Sequence, residues 1–83
     1  MAPQNLPNWQ LTENGKLHRR FQFKDFVEAF SFLTSVALES EKLGHHPEIF
    51  CVYNKVELWL TTHDAGGLTD LDTKLAGIID GLV

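Results

Sequence analysis

Two hydrophobic periods run through this chain. Leu17, Arg19, Phe21 and Phe23 alternate with His18, Arg20 and Gln22. Val56, Leu58 and Leu60 alternate with Glu57, Trp59 and Thr61. A period of two marks a strand with one buried face; Arg19 is an imperfection on the apolar side of the first. Between these runs Phe26, Ala29, Phe30, Leu33, Val36 and Ala37 recur at helical spacing, with Phe32 and Leu43 widening the stripe. Val27 and Leu38 lie off it, on the far side. A helix apolar on more than one face needs more than one apolar neighbour: a sheet supplies the first, another subunit the second.

Punctuation fixes the boundaries. Trp9 to Thr12 reads as a short strand. Asn14-Gly15 reads as a two-residue hairpin turn with φ > 0 at both positions. The helix runs from Asp25 to Leu43, with Asp25 and Glu28 as a capping box and Gly44 as a left-handed stop. Ile49 to Tyr53 and Val56 to Thr61 are two strands around Asn54-Lys55. His63 to Gly67 is a loop. Thr69 with Asp72 caps a last helix, whose Leu71, Leu75, Ile78, Ile79 and Leu82 repeat at helical spacing. Residues 1–8 read as an irregular arm and 9–83 as one domain. The order is β-β-α-β-β-α. The predicted fold is α+β: a four-stranded antiparallel sheet with both helices on one face.

Composition narrows the function. The chain has 83 residues, a net charge of −4 and 43% hydrophobic residues. That fits a small packed globule with a marginal core, for which oligomerisation is a natural support. The acidic balance argues against direct nucleic-acid binding, and the Lys16, Arg19 and Arg20 patch is too small to reverse it. Cys51, the single cysteine, excludes an intrachain disulfide and sits in an apolar run. No signal segment or membrane-spanning run is visible, so the expected location is the cytoplasm, extending to the nucleus in a eukaryote.

The candidate chemistry centres on His45-His46-Pro47. Imidazole exchanges protons near neutral pH. Pro47 drives His46 towards extended backbone, so the two imidazoles should point to opposite sides. A hairpin about Asn54-Lys55 places His63 across from His46 or Pro47. Glu41 sits in the last turn of the long helix, where the dipole disfavours an anion and calls for a partner such as an imidazole. Tyr53 reads as a partly buried aromatic, Trp9 as core or as a wall for a ring, Asp72 and Asp25 as structural caps, and His18 as solvent-facing. Three histidines and a carboxylate raise the question of zinc, but adjacent extended histidines diverge, and no metal site is expected.

These residues resemble a family, the pterin-4a-carbinolamine dehydratases. Its pattern is an acidic residue, three spacers, His-His-Pro, an aromatic, a histidine and an aspartate. Glu41, His45-His46-Pro47, Tyr53, His63 and Asp72 meet it throughout. Phe23-Lys24-Asp25-Phe26, Val36-Ala37-Leu38, Glu41-Lys42-Leu43, Val52-Tyr53-Asn54-Lys55-Val56 and Thr62-His63 extend the likeness from about Trp9 to Ile79. The departures are modest: a shorter arm before Trp9 than in many members, and a tight first hairpin.

The resemblance implies dehydration of 4a-hydroxytetrahydropterin to quinonoid dihydropterin, recycling the cofactor of aromatic amino-acid hydroxylases, with no metal or organic cofactor. It implies His45, His46 and His63 as catalytic groups. Glu41, Pro47, Tyr53 and Trp9 bind or orient the substrate. It implies homodimers through sheet edges and homotetramers through the long helix. In some animal members it implies a second role, as dimerisation coactivator of a homeodomain transcription factor. The rival expectation is therefore a protein-binding module.

Overall fold

The computed structural model describes residues 5–83. In chain order the elements are β1 (Gln10–Leu11), β2 (Leu17–Gln22), α1 (Phe26–Leu43), β3 (Glu48–Val52), β4 (Lys55–Leu60) and α2 (Asp70–Asp80), with a 3₁₀ turn at His63–Ala65. The four strands form one antiparallel sheet in the order β1-β2-β4-β3. Leu17, Phe21, Val56, Leu58 and Leu60 point from one face into a core shared with Ala29, Phe32, Leu33 and Val36 of α1 and Leu75, Ala76 and Ile79 of α2. Both helices therefore cover one face of an α+β sheet. Of the predicted arm, residues 1–4 lie outside the described residues, while 5–8 run as turns with Leu6 buried in the core.

Asp25 and Gly44 act as the sequence predicts, while Glu28 closes on the residue before the N-cap rather than on Asp25 itself. Asp25 accepts from the Glu28 amide at 2.9 Å, and Glu28 accepts from the Lys24 amide at 3.0 Å. Gly44 ends α1 at φ 67°. Arg19, the misfit on the apolar side of β2, lies 4.4 Å over the Phe21 ring and reaches the Asp80 carboxylate. Its guanidinium thus both lies over the ring and pairs with the carboxylate at the end of α2.

Three expectations need correction. The first hairpin is a three-residue loop: Gly15 has φ 79°, while Asn14 keeps negative φ. Thr12 Oγ1 accepts from the Lys16 amide at 3.1 Å and supports this wider turn. The second hairpin turns at Tyr53-Asn54, not Asn54-Lys55, because Val52 pairs with Lys55. Asn54 clamps it to β2, donating to the Phe23 carbonyl at 2.9 Å and accepting from the Phe23 amide at 2.8 Å. That clamp leaves Tyr53 at φ 53°, a costly region for a bulky residue. Tyr53→Gly is expected to raise unfolding free energy by about 0.5–1 kcal/mol in urea titrations. A loss of stability would show that the ring contributes packing.

The third correction concerns α1. Phe26, Phe30 and Ala37 do not belong to the core stripe; they are exposed with Val27 and Leu38. The buried face is Ala29, Phe32, Leu33, Val36 and Ser40. Small residues at Ala29 and Ser40 let that face approach its neighbours, and the buried Ser40 hydroxyl donates to the Val36 carbonyl at 2.7 Å. Apolar count alone did not separate the two faces. Among the described residues no helix is long and apolar enough to cross a membrane.

Candidate active site

Gly44 stops α1, and the His45 amide donates back to the Ser40 carbonyl at 3.1 Å. The chain then leaves the helix through His45-His46-Pro47 and enters β3 at Glu48. Lys16 holds that entry point: its Nζ donates to both Glu48 carboxylate oxygens at 2.9 Å. The histidine pair is thus fixed between a helix end and a strand start.

The two imidazoles go to different partners. His45 turns inward, and its Nε2 lies 2.5 Å from Asp72 Oδ1. His46 turns outward, and its Nε2 meets Glu41 Oε2. That partner offsets the unfavourable position of Glu41 near the C-terminal end of α1. The His45–Asp72 pair is enclosed, with side-chain exposures of 11% and 0%; His46–Glu41 is open, at 61% and 76%. One imidazole is enclosed with its carboxylate, and the other is open to solvent.

Asp72 does more than cap α2. Its Oδ2 accepts from the Thr69 amide at 2.9 Å and from the Thr62 hydroxyl at 2.7 Å, while Oδ1 faces His45. The Thr62 and Thr69 hydroxyls are 2.8 Å apart. Sequence reasoning missed Thr62 and Thr69 as site residues and the second use of Asp72. A cap occupies one carboxylate oxygen, and the other was the available signal.

His63 opens the 3₁₀ turn directly after Thr62 and is exposed. The predicted pairing of His63 with His46 or Pro47 does not follow from the observed register. Carried past its last pair, Glu48 with Trp59, that register sets Thr61 across from His46. The connection runs through Thr62, whose side chain joins the Asp72–His45 pair. Its backbone also bridges Gly67 at 3.1 and 3.3 Å, closing the loop that carries His63.

Two expected ligand-binding residues lie elsewhere. Trp9 is fully buried, packs edge-on against Phe21 and donates its indole N–H to Asp80 Oδ1 at 2.8 Å. It is core, with no ring face free to stack on a ligand. Tyr53 is exposed at the far end of β3, about 17 Å of strand from Glu48. It cannot join the histidines of its own chain. Pro47 is half-buried beside His46.

On the open sheet face His18 is stacked on Trp59, with ring centroids 4.8 Å apart. Glu57 Oε1 meets His18 Nε2 at 2.8 Å. This hydrogen bond, with Arg20 nearby, holds Glu57 below the usual carboxylate range despite partial burial. Among the described residues no cluster of three or more His, Cys, Asp or Glu side chains could hold a metal ion.

Two imidazoles, each on its own carboxylate at one helix end, suit general acid and base catalysis. Comparison with known proteins gives that arrangement a context. A relative from Synechococcus sp. (strain WH7803), named "Putative pterin-4-alpha-carbinolamine dehydratase", is 58% identical over 77 residues, covering 93% of this chain and 82% of its own length. One of the same name from Sinorhizobium fredii (strain NBRC 101917 / NGR234) is 55% identical over 76 residues, 90% of this chain and 72% of its own. A crystal structure titled as a transcriptional coactivator/pterin dehydratase from Brucella melitensis superposes with a TM-score of 0.92 at 42% identity, covering 95% of this chain and 85% of that one. A pterin dehydratase-like protein described as a RuBisCO assembly factor in the alpha-carboxysome superposes at 0.78 with 25% identity, covering 90% of this chain and 88% of its own. The profile of the family described as Pterin 4 alpha carbinolamine dehydratase matches residues 1–82. The chain belongs to the pterin-4a-carbinolamine dehydratase family.

Proposed function

We propose that this chain dehydrates a 4a-hydroxytetrahydropterin to quinonoid dihydropterin and water, recycling the pterin cofactor of aromatic amino-acid hydroxylases. The observation that carries the reading is the imidazole–carboxylate pairing of His45 with Asp72 and His46 with Glu41, in a chain of this family. In the reaction the C4a–O bond breaks and its electron pair leaves with oxygen. An imidazolium protonates the departing hydroxyl, which leaves as water. The N5 lone pair forms the new C=N bond, and a neutral imidazole takes the N5 proton. His46 and His63 serve these two transfers. His45, aimed by Asp72, is a further acid or binding group, and Glu41 orients His46.

Each proton transfer by a positioned side chain contributes typically ~10²–10⁴-fold. His46→Ala is therefore expected to lower kcat by about that factor. Dehydration of enzymatically generated 4a-hydroxytetrahydropterin measures it. A folded variant as fast as wild type would remove His46 from the mechanism.

One observation favours a second, compatible reading as a protein-binding module. Phe26, Val27, Phe30 and Leu38 leave α1 with an exposed apolar face, Val27 at 74% exposure. Such a contiguous face marks an interaction surface. Copies of this chain are the natural occupants, with the exposed Ile49, Phe50 and Val52 of edge strand β3 offering a second contact. Leu38→Glu is expected to lower the mass seen by light scattering while leaving the histidine site folded. An unchanged mass contradicts assembly through α1. A transcription factor on the same face is the alternative occupant; the Brucella melitensis neighbour is titled a transcriptional coactivator/pterin dehydratase.

A further inference from the structure

We propose that Thr62 is a positioning residue that sets the tautomer and aim of His45 through Asp72. The inference rests on the dehydratase reading for its catalytic consequence, but not for its geometry.

A helix cap needs Asp72 to accept from the Thr69 amide and nothing more. This carboxylate has two further partners, on different elements. Thr62, at the end of β4, donates its hydroxyl to Oδ2 at 2.7 Å, and His45, after α1, lies 2.5 Å from Oδ1. Two donors on Oδ2, the Thr69 amide and the Thr62 hydroxyl, stop the carboxylate turning about its Cβ–Cγ bond. Oδ1 is then left pointing at His45 alone. A buried carboxylate so placed accepts the Nε2–H of His45 and leaves Nδ1 as the open nitrogen.

The hydroxyl order follows from the same geometry. Thr62 donates to Asp72, so in the 2.8 Å contact with Thr69 it is the Thr69 hydroxyl that donates. The relay is polarised in one direction, from Thr69 through Thr62 to Asp72, and hydrogen bonds in such a chain reinforce one another. Thr62 also ties its own backbone to Gly67, closing the loop that begins at His63. One residue thus joins the two halves of the site: its side chain fixes His45 and its backbone fixes the His63 loop.

The competing role is a plain clip between β4 and α2. Thr62→Val keeps the shape and removes the hydroxyl; Thr62→Ser restores it. The nitrogen-15 shifts of His45 report its tautomer, and kcat and KM report the consequence. The expected result is an Nε2–H tautomer in wild type and Thr62→Ser, and mixed tautomers in Thr62→Val. With that loss kcat falls roughly 10-fold at unchanged KM, the low end for removing an outer partner of a working histidine. Should Thr62→Val fail to fold, Thr62→Ala removes the same hydroxyl without adding a second methyl and is read the same way. A wild-type His45 tautomer in the folded variant overturns the proposal and leaves only the clip. Absence of dehydration by the wild type would sink the dehydratase reading, while the nitrogen shifts would still decide the role of Thr62.

Discussion

Asp72→Ala is expected to cost about 3–5 kcal/mol of stability, the range for removing one partner of a buried hydrogen-bonded charge. The side chain has no exposed surface, and its loss leaves His45, the Thr62 hydroxyl and the Thr69 amide without their acceptor. Stranded buried donors cost ~1–3 kcal/mol each, although the terms do not simply add. Urea unfolding checks the figure. Asp72→Asn separates fold from chemistry. Its amide oxygen can stay with Thr62 and Thr69, which turns its NH₂ towards His45 Nε2. His45 must then present a lone pair there and move its proton to Nδ1. Stability should fall by only ~1–2 kcal/mol, while kcat falls by about 10²–10⁴-fold from the wrong tautomer. An asparagine variant with wild-type kcat would reduce Asp72 to a cap.

Trp9→Ala is expected to cost about 3–5 kcal/mol, as for other large aromatic deletions from a core. Trp9 is fully buried, and its indole N–H shares Asp80 Oδ1 with the Arg19 guanidinium. This cluster ties β1, β2 and the end of α2 together. Trp9→Phe keeps most of the volume and loses the N–H, so it should cost about 1–2 kcal/mol with KM unchanged. Trp59 remains as the fluorescent reporter of unfolding. A raised KM for folded Trp9→Phe would restore Trp9 as a substrate-binding wall.

The sequence made much of the architecture readable, because its period-two runs, caps and Gly44 each carry a local cause. Asp25, Gly44 and Thr69 mark helix ends by backbone demands that hold in any context. Register was less readable. The Tyr53-Asn54 turn depends on Asn54 clamping the Phe23 backbone, a long-range contact that no neighbour of Asn54 announces. Phe26 and Phe30 look like core to any count of apolar positions, since α1 has two apolar faces and the small residues Ala29 and Ser40 decide which one packs. Within the site, Glu41 and His46 are close in sequence and their pairing could be anticipated from the helix dipole. Asp72 reaches His45 only through the docking of α2. Trp9 was ambiguous because a tryptophan at a strand start serves core or ligand equally well, and the acceptor that settles it, Asp80, lies at the other end of the chain.

The proposed pterin site is the cluster at the end of α1 and β4. A crystal soaked with a stable dihydropterin tests it most directly. The pterin ring is expected at His46 and His63, its C4a–N5 edge within hydrogen-bond reach of an imidazole, with His45 still on Asp72. A pterin bound elsewhere in the molecule, with His45, His46 and His63 all free of it, would contradict the dehydratase reading of this site.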